Sequence, residues 1–311
     1  MNLPARATLV EVGPRDGLQS LSQVYPVEVK VELIALLARA GLPKIEITSF
    51  VRPDVVPQLA DAEELVARLP RVPGCAYRAL VPNRRGAERA AAAGVDEVLA
   101  LTTASETYNR KNQNMSVEES VAAATEIAGV AHAAGLAVTA AIGLALWCPY
   151  EGEIPPERVL GIVERLRGAG IDSVYVSTSA GVDGPRAVHD LCARILDRFP
   201  GLELGVHLHN TNGMALANAL AALDAGATVL EGSVCGLGGG LAMPAGMAPF
   251  GNVATEDLAQ MLEELGVETG VDCGVLLEGA RRIAELLDLG ETHSYALRGG
   301  TKADVSAAAT S

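Results

Sequence analysis

Positive charge is in short supply in this chain: 24 Lys and Arg stand against 38 Asp and Glu, leaving a net charge of −14 over 311 residues. That balance argues against nucleic acid or an anionic membrane surface as a partner, although a local basic patch could still meet a phosphate-bearing ligand. Long apolar runs are missing too. The longest, about Val138 to Trp147, is roughly half of what a membrane span requires, and Met1 to Thr8 shows no charged-then-apolar leader. The expectation is a cytoplasmic protein. The five cysteines (Cys75, Cys148, Cys192, Cys235, Cys273) are odd in number, scattered and without CxxC spacing. This excludes a disulfide framework and a thiolate zinc site as readings, and implies reduced thiols. No linker marks a second domain, so residues 1–290 are expected to form one domain, followed by a Gly/Thr/Ala/Ser-rich tail, 291–311, that frays in part.

What is present is a repeat of short β-branched runs alternating with Ala/Leu/Glu/Arg segments of helical period. The expected strands are Thr8–Val12, Lys44–Thr48, Tyr77–Val81, Glu97–Leu101, Ala137–Ile142, Ser173–Ser177, Glu203–Leu208 and Thr228–Ser233. Gly41, Gly94, Gly135, Gly170 and Gly226 each follow an Ala-rich helical pattern and precede a strand, where a left-handed helix stop is wanted. Eight such units in about 235 residues match a (β/α)8 TIM barrel of the α/β class better than a doubly wound sheet. A further helical region, Glu256 to Leu289, adds C-terminal helices.

The barrel reading gives meaning to LGVHLHNTN, Leu204 to Asn212. Alternate strand residues share a face, so His207 and His209 project together at the end of the seventh strand, where barrel enzymes keep their chemistry. Hydrogen-bonded core histidines are the alternative; the HxH pair at a strand end favours a divalent transition metal, which needs further ligands. The first strand ends in EVGPRDGLQ, placing Arg15 and Asp16 in a Pro/Gly turn at the same mouth, where an Arg–Asp surface turn is the competing reading. In KIEITSF, Glu46 is a carboxylate in an apolar strand and faces the barrel axis if Ile45 and Ile47 face the helices. A structural ion pair to Arg15 is its competing role. The last loop contributes Asn252.

Taken together, EVGPRDGLQ, IEITSF, WCPYEG, HLHNTNGMALAN and SVCGLGGG…GNVATEDL resemble the hydroxymethylglutaryl-CoA lyases, within a wider set of metal-dependent barrels that includes the isopropylmalate, homocitrate and citramalate synthases. The resemblance covers about Thr8 to Val271. It implies that Asp16, His207, His209 and Asn252 hold one divalent cation such as Mg2+, Mn2+ or Co2+. It further implies that Arg15 stabilises an enolate, that Glu46 orients Arg15, and that His207 also takes part in proton transfer. Gln19, Arg110, Lys111, Asn112 and Thr178 are the corresponding candidate contacts to an acyl-CoA or hydroxy-acid substrate, a solvated basic turn being the alternative for residues 110–112. A homodimer is the expected assembly.

Two departures set this chain apart from that pattern. The glycine run of the last loop ends in Gly240, where the resembled lyases carry a catalytic cysteine, and the loop is longer, running LAMPAGMAPF before Gly251. Cys235 could replace that thiol only with a rearranged loop; an inert packed thiol is the expectation. The triplet Ser177, Thr178, Ser179 stands where those lyases have Gly-Asp-Thr, and Asn210 where they more often have Asp. The expected function is therefore a metal-dependent carbon–carbon lyase acting on a 3-hydroxy acid or its CoA thioester, with a changed substrate or direction. A condensing synthase and a non-catalytic metal- or acyl-CoA-binding homologue are the alternatives.

Overall fold

A computed structural model describes residues 1–239, 243–244 and 251–310. Eight parallel strands close into a barrel: β1 Thr8–Glu11, β2 Lys44–Ser49, β3 Ala76–Val81, β4 Glu97–Thr103, β5 Ala137–Gly143, β6 Ser173–Thr178, β7 Glu203–Leu208 and β8 Val229–Gly232. Each expected strand is found, with ends moved by no more than two residues. Helices α1 Val27–Arg39, α2 Ala62–Arg68, α3 Arg84–Ala93, α4 Glu106–Gln113, α5 Val117–Ala133, α6 Pro156–Gly168, α7 Pro185–Arg198 and α8 Ala215–Asp224 surround it, followed by α9 Thr255–Glu264, α10 Cys273–Leu286 and α11 Lys302–Ala308. All five glycines singled out as helix stops have positive φ, from 72° to 103°. Among the described residues no helix is long and apolar enough to cross a membrane.

Strand alternation sorts the side chains into two cores. Leu9, Ile45, Ile47, Val98, Val174, Val206 and Leu230 point outward and bury against the helices. Val10, Val12, Leu80, Leu99, Ala141, Tyr175 and Val229 fill the barrel interior as a separate cluster. Glu46, with Ile45 and Ile47 turned to the helices, lies on the interior face as expected. Interior charge is concentrated in one layer by the register, which pairs Glu46 with Arg78, Arg78 with Glu97, and Glu231 with His207 on neighbouring strands.

The chain after β8 returns to the mouth. The peptide N–H of Val253 donates to Leu208 O at 2.9 Å, that of Asn210 to Gly251 O at 3.0 Å and that of Ser233 to Val253 O at 3.0 Å. Residues 251–254 thus lie across the ends of β7 and β8 and carry Asn252 to the top of the barrel. After α10, Asp257 in the first turn of α9 accepts hydrogen bonds from Ser294 Oγ, Tyr295 N and Ala296 N. Thr301 and Asp304 form a capping box for α11.

Gly205 on β7 has no room for a side chain, because a Cβ there would sit 2.0 Å from Cδ1 of the interior Tyr175 ring. Gly205→Ala is therefore expected to destabilise the barrel by about 1–3 kcal/mol through overpacking. A urea midpoint equal to that of the parent protein would show that the Tyr175 ring moves aside freely.

Candidate metal centre at the barrel mouth

The turn after β1 brings Arg15 and Asp16 over the barrel. The peptide N–H groups of Arg15 and Asp16 both bond to Val12 O, at 3.1 and 2.7 Å, in a tight helical turn spanning Gly13–Gly17. Pro14 opens this turn at a position that needs no donor. Glu11, at the end of β1 and turned toward α9, braces it. Its carboxylate accepts from Val234 N at 3.0 Å and Thr255 Oγ1 at 2.6 Å, as well as from Gly13 N. Burial pushes the Glu11 carboxyl up to about 7 against the lowering effect of these bonds.

Asp16, His207 and His209 are all buried, and their ligand atoms lie within 4.8 Å of one another. The two Nε2 atoms of the histidines face each other at 3.2 Å, while His207 Nδ1 is 2.8 Å from Glu231 Oε2. A carboxylate on Nδ1 fixes the imidazole so that its Nε2 lone pair faces the cluster, the usual backing of a metal-ligating histidine. Asn252 Nδ2 donates to Asp16 Oδ2 at 2.7 Å and to Leu237 O at 3.0 Å. Its Oδ1 is buried and has no hydrogen-bond partner among the described residues. Gln19 Nε2 donates to Asp16 Oδ1 at 2.9 Å, so the described contact of Gln19 is with a candidate ligand.

The electrostatics suit a cation. Burial would raise the Asp16 carboxyl, but Arg15, His207 and His209 outweigh it and hold Asp16 down at about 2. Burial, helped by neighbouring His207, lowers His209 to about 4 and leaves a neutral imidazole. For His207 burial acts downward, yet the Glu231 contact prevails and its pKa is raised. Behind the ligands runs a chain of ion pairs. Arg15 pairs with Asp16 at 2.5 Å and with Glu46, Arg78 pairs with Glu46 at 2.5 Å and with Glu231, and Glu231 meets His207. Three carboxylates (Asp16, Glu46, Glu231) thus face two guanidiniums (Arg15, Arg78), leaving one negative charge for a protonated His207 or a bound cation to balance, beside an unpaired amide oxygen. Uncompensated buried charge is costly, and the donor set of carboxylate, imidazole and amide oxygen fits one divalent cation.

Arg78, Glu231 and Tyr175 were not among the expected site residues, yet Arg78 and Glu231 are the only side chains linking Glu46 to His207 in these ion pairs among the described residues. The signal was available: AYRALV and TVLEGS each carry one charge inside an apolar strand, the same feature that singled out Glu46. Other expected residues lie apart from the cluster's described contacts. Arg110 and Lys111 are exposed on α4 and Asn112 is half-buried; Lys111 Nζ sits 5.1 Å above the Tyr150 ring. Thr178 lines a small, largely apolar cavity with Val176, Val188, Leu191 and Leu208, and its Oγ1 has no described hydrogen-bond partner. Ser177 and Ser179 share a hydrogen bond at 2.9 Å. Gly240 lies outside the described residues. Cys235 is packed between the end of β8 and α10, with Sγ 3.5 Å from Ala280 O, and burial raises its pKa.

Fold and site together define a (β/α)8 barrel with a candidate divalent-cation cluster at the C-terminal mouth. The HMGL-like family model matches residues 6–283. The chain is 43% identical over 286 residues to rat mitochondrial hydroxymethylglutaryl-CoA lyase, covering 92% of this chain and 87% of that one. The structure of a Bacillus subtilis HMG-CoA lyase superposes with a TM-score of 0.91 at 39% identity, covering 96% of this chain and 99% of that one. An HMG-CoA lyase from Acinetobacter baumannii, in complex with coenzyme A and 3-methylmalate, gives a TM-score of 0.91 at 33% identity, with 96% and 97% covered. This chain belongs to the HMGL-like family and is a carbon–carbon lyase of the hydroxymethylglutaryl-CoA lyase type.

His209→Ala is expected to abolish most divalent-metal binding while the fold persists, since the residue sits at a strand end outside the apolar core. Elemental analysis showing metal content like that of the parent protein would remove His209 from the ligand set. Cys235 faces α10, so Cys235→Ser should keep turnover within about threefold, in line with the small effects of most substitutions away from the chemistry. A substrate-protected inactivation by alkylation, mapped to Cys235, would contradict this.

Proposed function

We propose that this enzyme cleaves the C2–C3 bond of a 3-hydroxy-3-substituted glutaryl-CoA, with 3-hydroxy-3-methylglutaryl-CoA as the first candidate. The observation that carries the reading is Arg15: a buried guanidinium bonded to Asp16 of the cation cluster on one side and to Glu46 on the other. Asp16, His207, His209 and Asn252 would hold Mg2+, Mn2+ or Co2+. When bound, the cation supplies charge that lowers the pKa of the substrate's tertiary hydroxyl and orients its carboxylate.

In the reaction the 3-hydroxyl loses its proton, its C–O bond becomes a carbonyl, and the C2–C3 electron pair passes into the thioester enolate. A proton added at C2 then completes acetyl-CoA, leaving a 3-oxo acid. Arg15 supplies a preorganised donor for the enolate oxygen. Its geometry is set before substrate arrives, because Glu46 and Asp16 hold the guanidinium from two sides. Gln19 and Asn252 each donate to Asp16 and orient its carboxylate. Of the two roles implied for His207, we assign it that of ligand. Its Nδ1 is engaged by Glu231, so Nε2 is the nitrogen left for either task and cannot serve both at once. Arg110, Lys111 and Asn112, on a helix tied down where Glu151 accepts from Ser105 Oγ and Thr107 N, are candidates for the CoA phosphates.

The test is incubation of metal-loaded protein with a panel of 3-hydroxy-3-substituted glutaryl-CoA and malyl-CoA analogues, with mass detection of both fragments. Cleavage of none of them would overturn the reading. On the substrate so identified, Arg15→Met is expected to lower turnover by ~10²–10³-fold, the usual cost of one preorganised donor, with metal content retained. A loss below about threefold would mean that the enolate is stabilised elsewhere.

A further inference from the structure

The interior layer below the cation cluster contains one group that touches both arms of the site. Arg78 is fully buried, and its Nη2 group meets Glu46 Oε2 at 2.5 Å and also Glu231 Oε1. Glu46 holds Arg15, and Glu231 holds His207. The guanidinium lies over the Tyr175 ring, 5.1 Å from its centroid, and Tyr175 is itself locked over Gly205. Arg78 therefore has little freedom to shift toward either carboxylate.

We propose that Arg78 is a positioning residue that couples the two arms, setting the Arg15 guanidinium through Glu46 and the His207 imidazole through Glu231. This rests on reading the cluster of Asp16, His207, His209 and Asn252 as a cation site. Stability alone is a poor account of Arg78, because replacing buried ion networks by apolar groups is often neutral or stabilising. Its Nε and Nη1 are buried with no hydrogen-bond partner among the described residues, and Nη1 has only a long ion pair, 4.0 Å, to Glu97. What Arg78 supplies is direction. With its cation gone, Glu231 Oε1 loses its partner, the carboxylate is held by His207 alone and can turn about its side chain, and the Nε2 lone pair loses its fixed aim. Loss of such an outer carboxylate–histidine contact typically weakens metal binding by about 10–100-fold.

Co2+ is the probe, because its visible absorption reports ligand geometry without substrate. In Arg78→Met, checked for folding by near-ultraviolet circular dichroism, the Co2+ dissociation constant is expected to rise by about 10–100-fold, with an altered visible band and partial recovery in Arg78→Lys. A folded Arg78→Met with the affinity and spectrum of the parent protein overturns the proposal, even if turnover falls. Should Arg78→Met fail to fold, Arg78→Gln is combined with Glu46→Gln, which removes one cation together with one of its anions and keeps the charge balance. Co2+ binding about 10–100-fold weaker than in Glu46→Gln alone supports the proposal; equal binding overturns it. A parent protein that binds Co2+ but cleaves none of the substrate panel would refute the proposed reaction and leave this test in force. One that binds no Co2+ would overturn the cation-site reading and this proposal with it.

Discussion

Charge inside a barrel has to be paired, and much of the site's geometry follows from that requirement. Asp16, Glu46, Glu231, Arg15 and Arg78 all sit in a low-dielectric interior, where an uncompensated ion costs several kcal/mol and a paired one is fixed in place by its partners. The strand register makes the pairing possible by setting Glu46 beside Arg78 and Glu231 beside His207 on adjacent strands. The carboxylates then have few arrangements open to them. Each faces a guanidinium on one side and a functional side chain on the other, so the groups that would meet substrate and cation are oriented before either arrives.

The mouth is assembled from segments far apart in the chain. Asp16 comes from the turn after β1, the histidines from β7, and Asn252 from the segment laid across β7 and β8. Backbone hydrogen bonds from that segment to Leu208, Asn210 and Ser233 do for Asn252 what the barrel ladder does for the histidines. Glu11 ties the first turn to the start of the glycine-rich loop and to α9, linking Gly13, Val234 and Thr255 through one carboxylate. Asp257 then anchors the tail to the same helix. One buried acid thus braces the turn that carries Asp16, and a second fastens the C-terminal tail to α9.

The residues proposed to meet substrate lie in a different setting from the candidate ligands. The candidate ligands are packed into the interior layer, whereas Arg110, Lys111 and Asn112 sit on the surface of α4 and Thr178 lies against an apolar cavity. The family relationship and the ligand set support one chemistry, while this chain's own departures from the family pattern, Gly240 and the Ser177–Thr178–Ser179 triplet, fall outside the candidate ligand set. Cys235 faces the helix layer because the backbone at that residue takes φ 60° and turns the thiol toward Ala280, away from the barrel axis.

The sequence by itself determined the barrel, because each βα unit carries its own local evidence: a β-branched run, a helical period, and a glycine where the chain must turn left-handed. It pointed to the histidine pair for a similar reason, the full candidate ligand set being what the family resemblance implies. The HxH spacing needs only strand alternation to place both imidazoles on one side, and Glu46 stood out as a charge among apolar neighbours. Arg78 and Glu231 gave the same local signal, but nothing local says that one guanidinium spans from β2 to β8, since that distance exists only once the barrel has closed. The burial of Cys235 toward α10, the turn of Thr178 to an apolar cavity and the return of Asn252 over β7 were likewise decided by the tertiary structure. Each depends on which distant segment packs against the residue, and that information is spread over the whole chain.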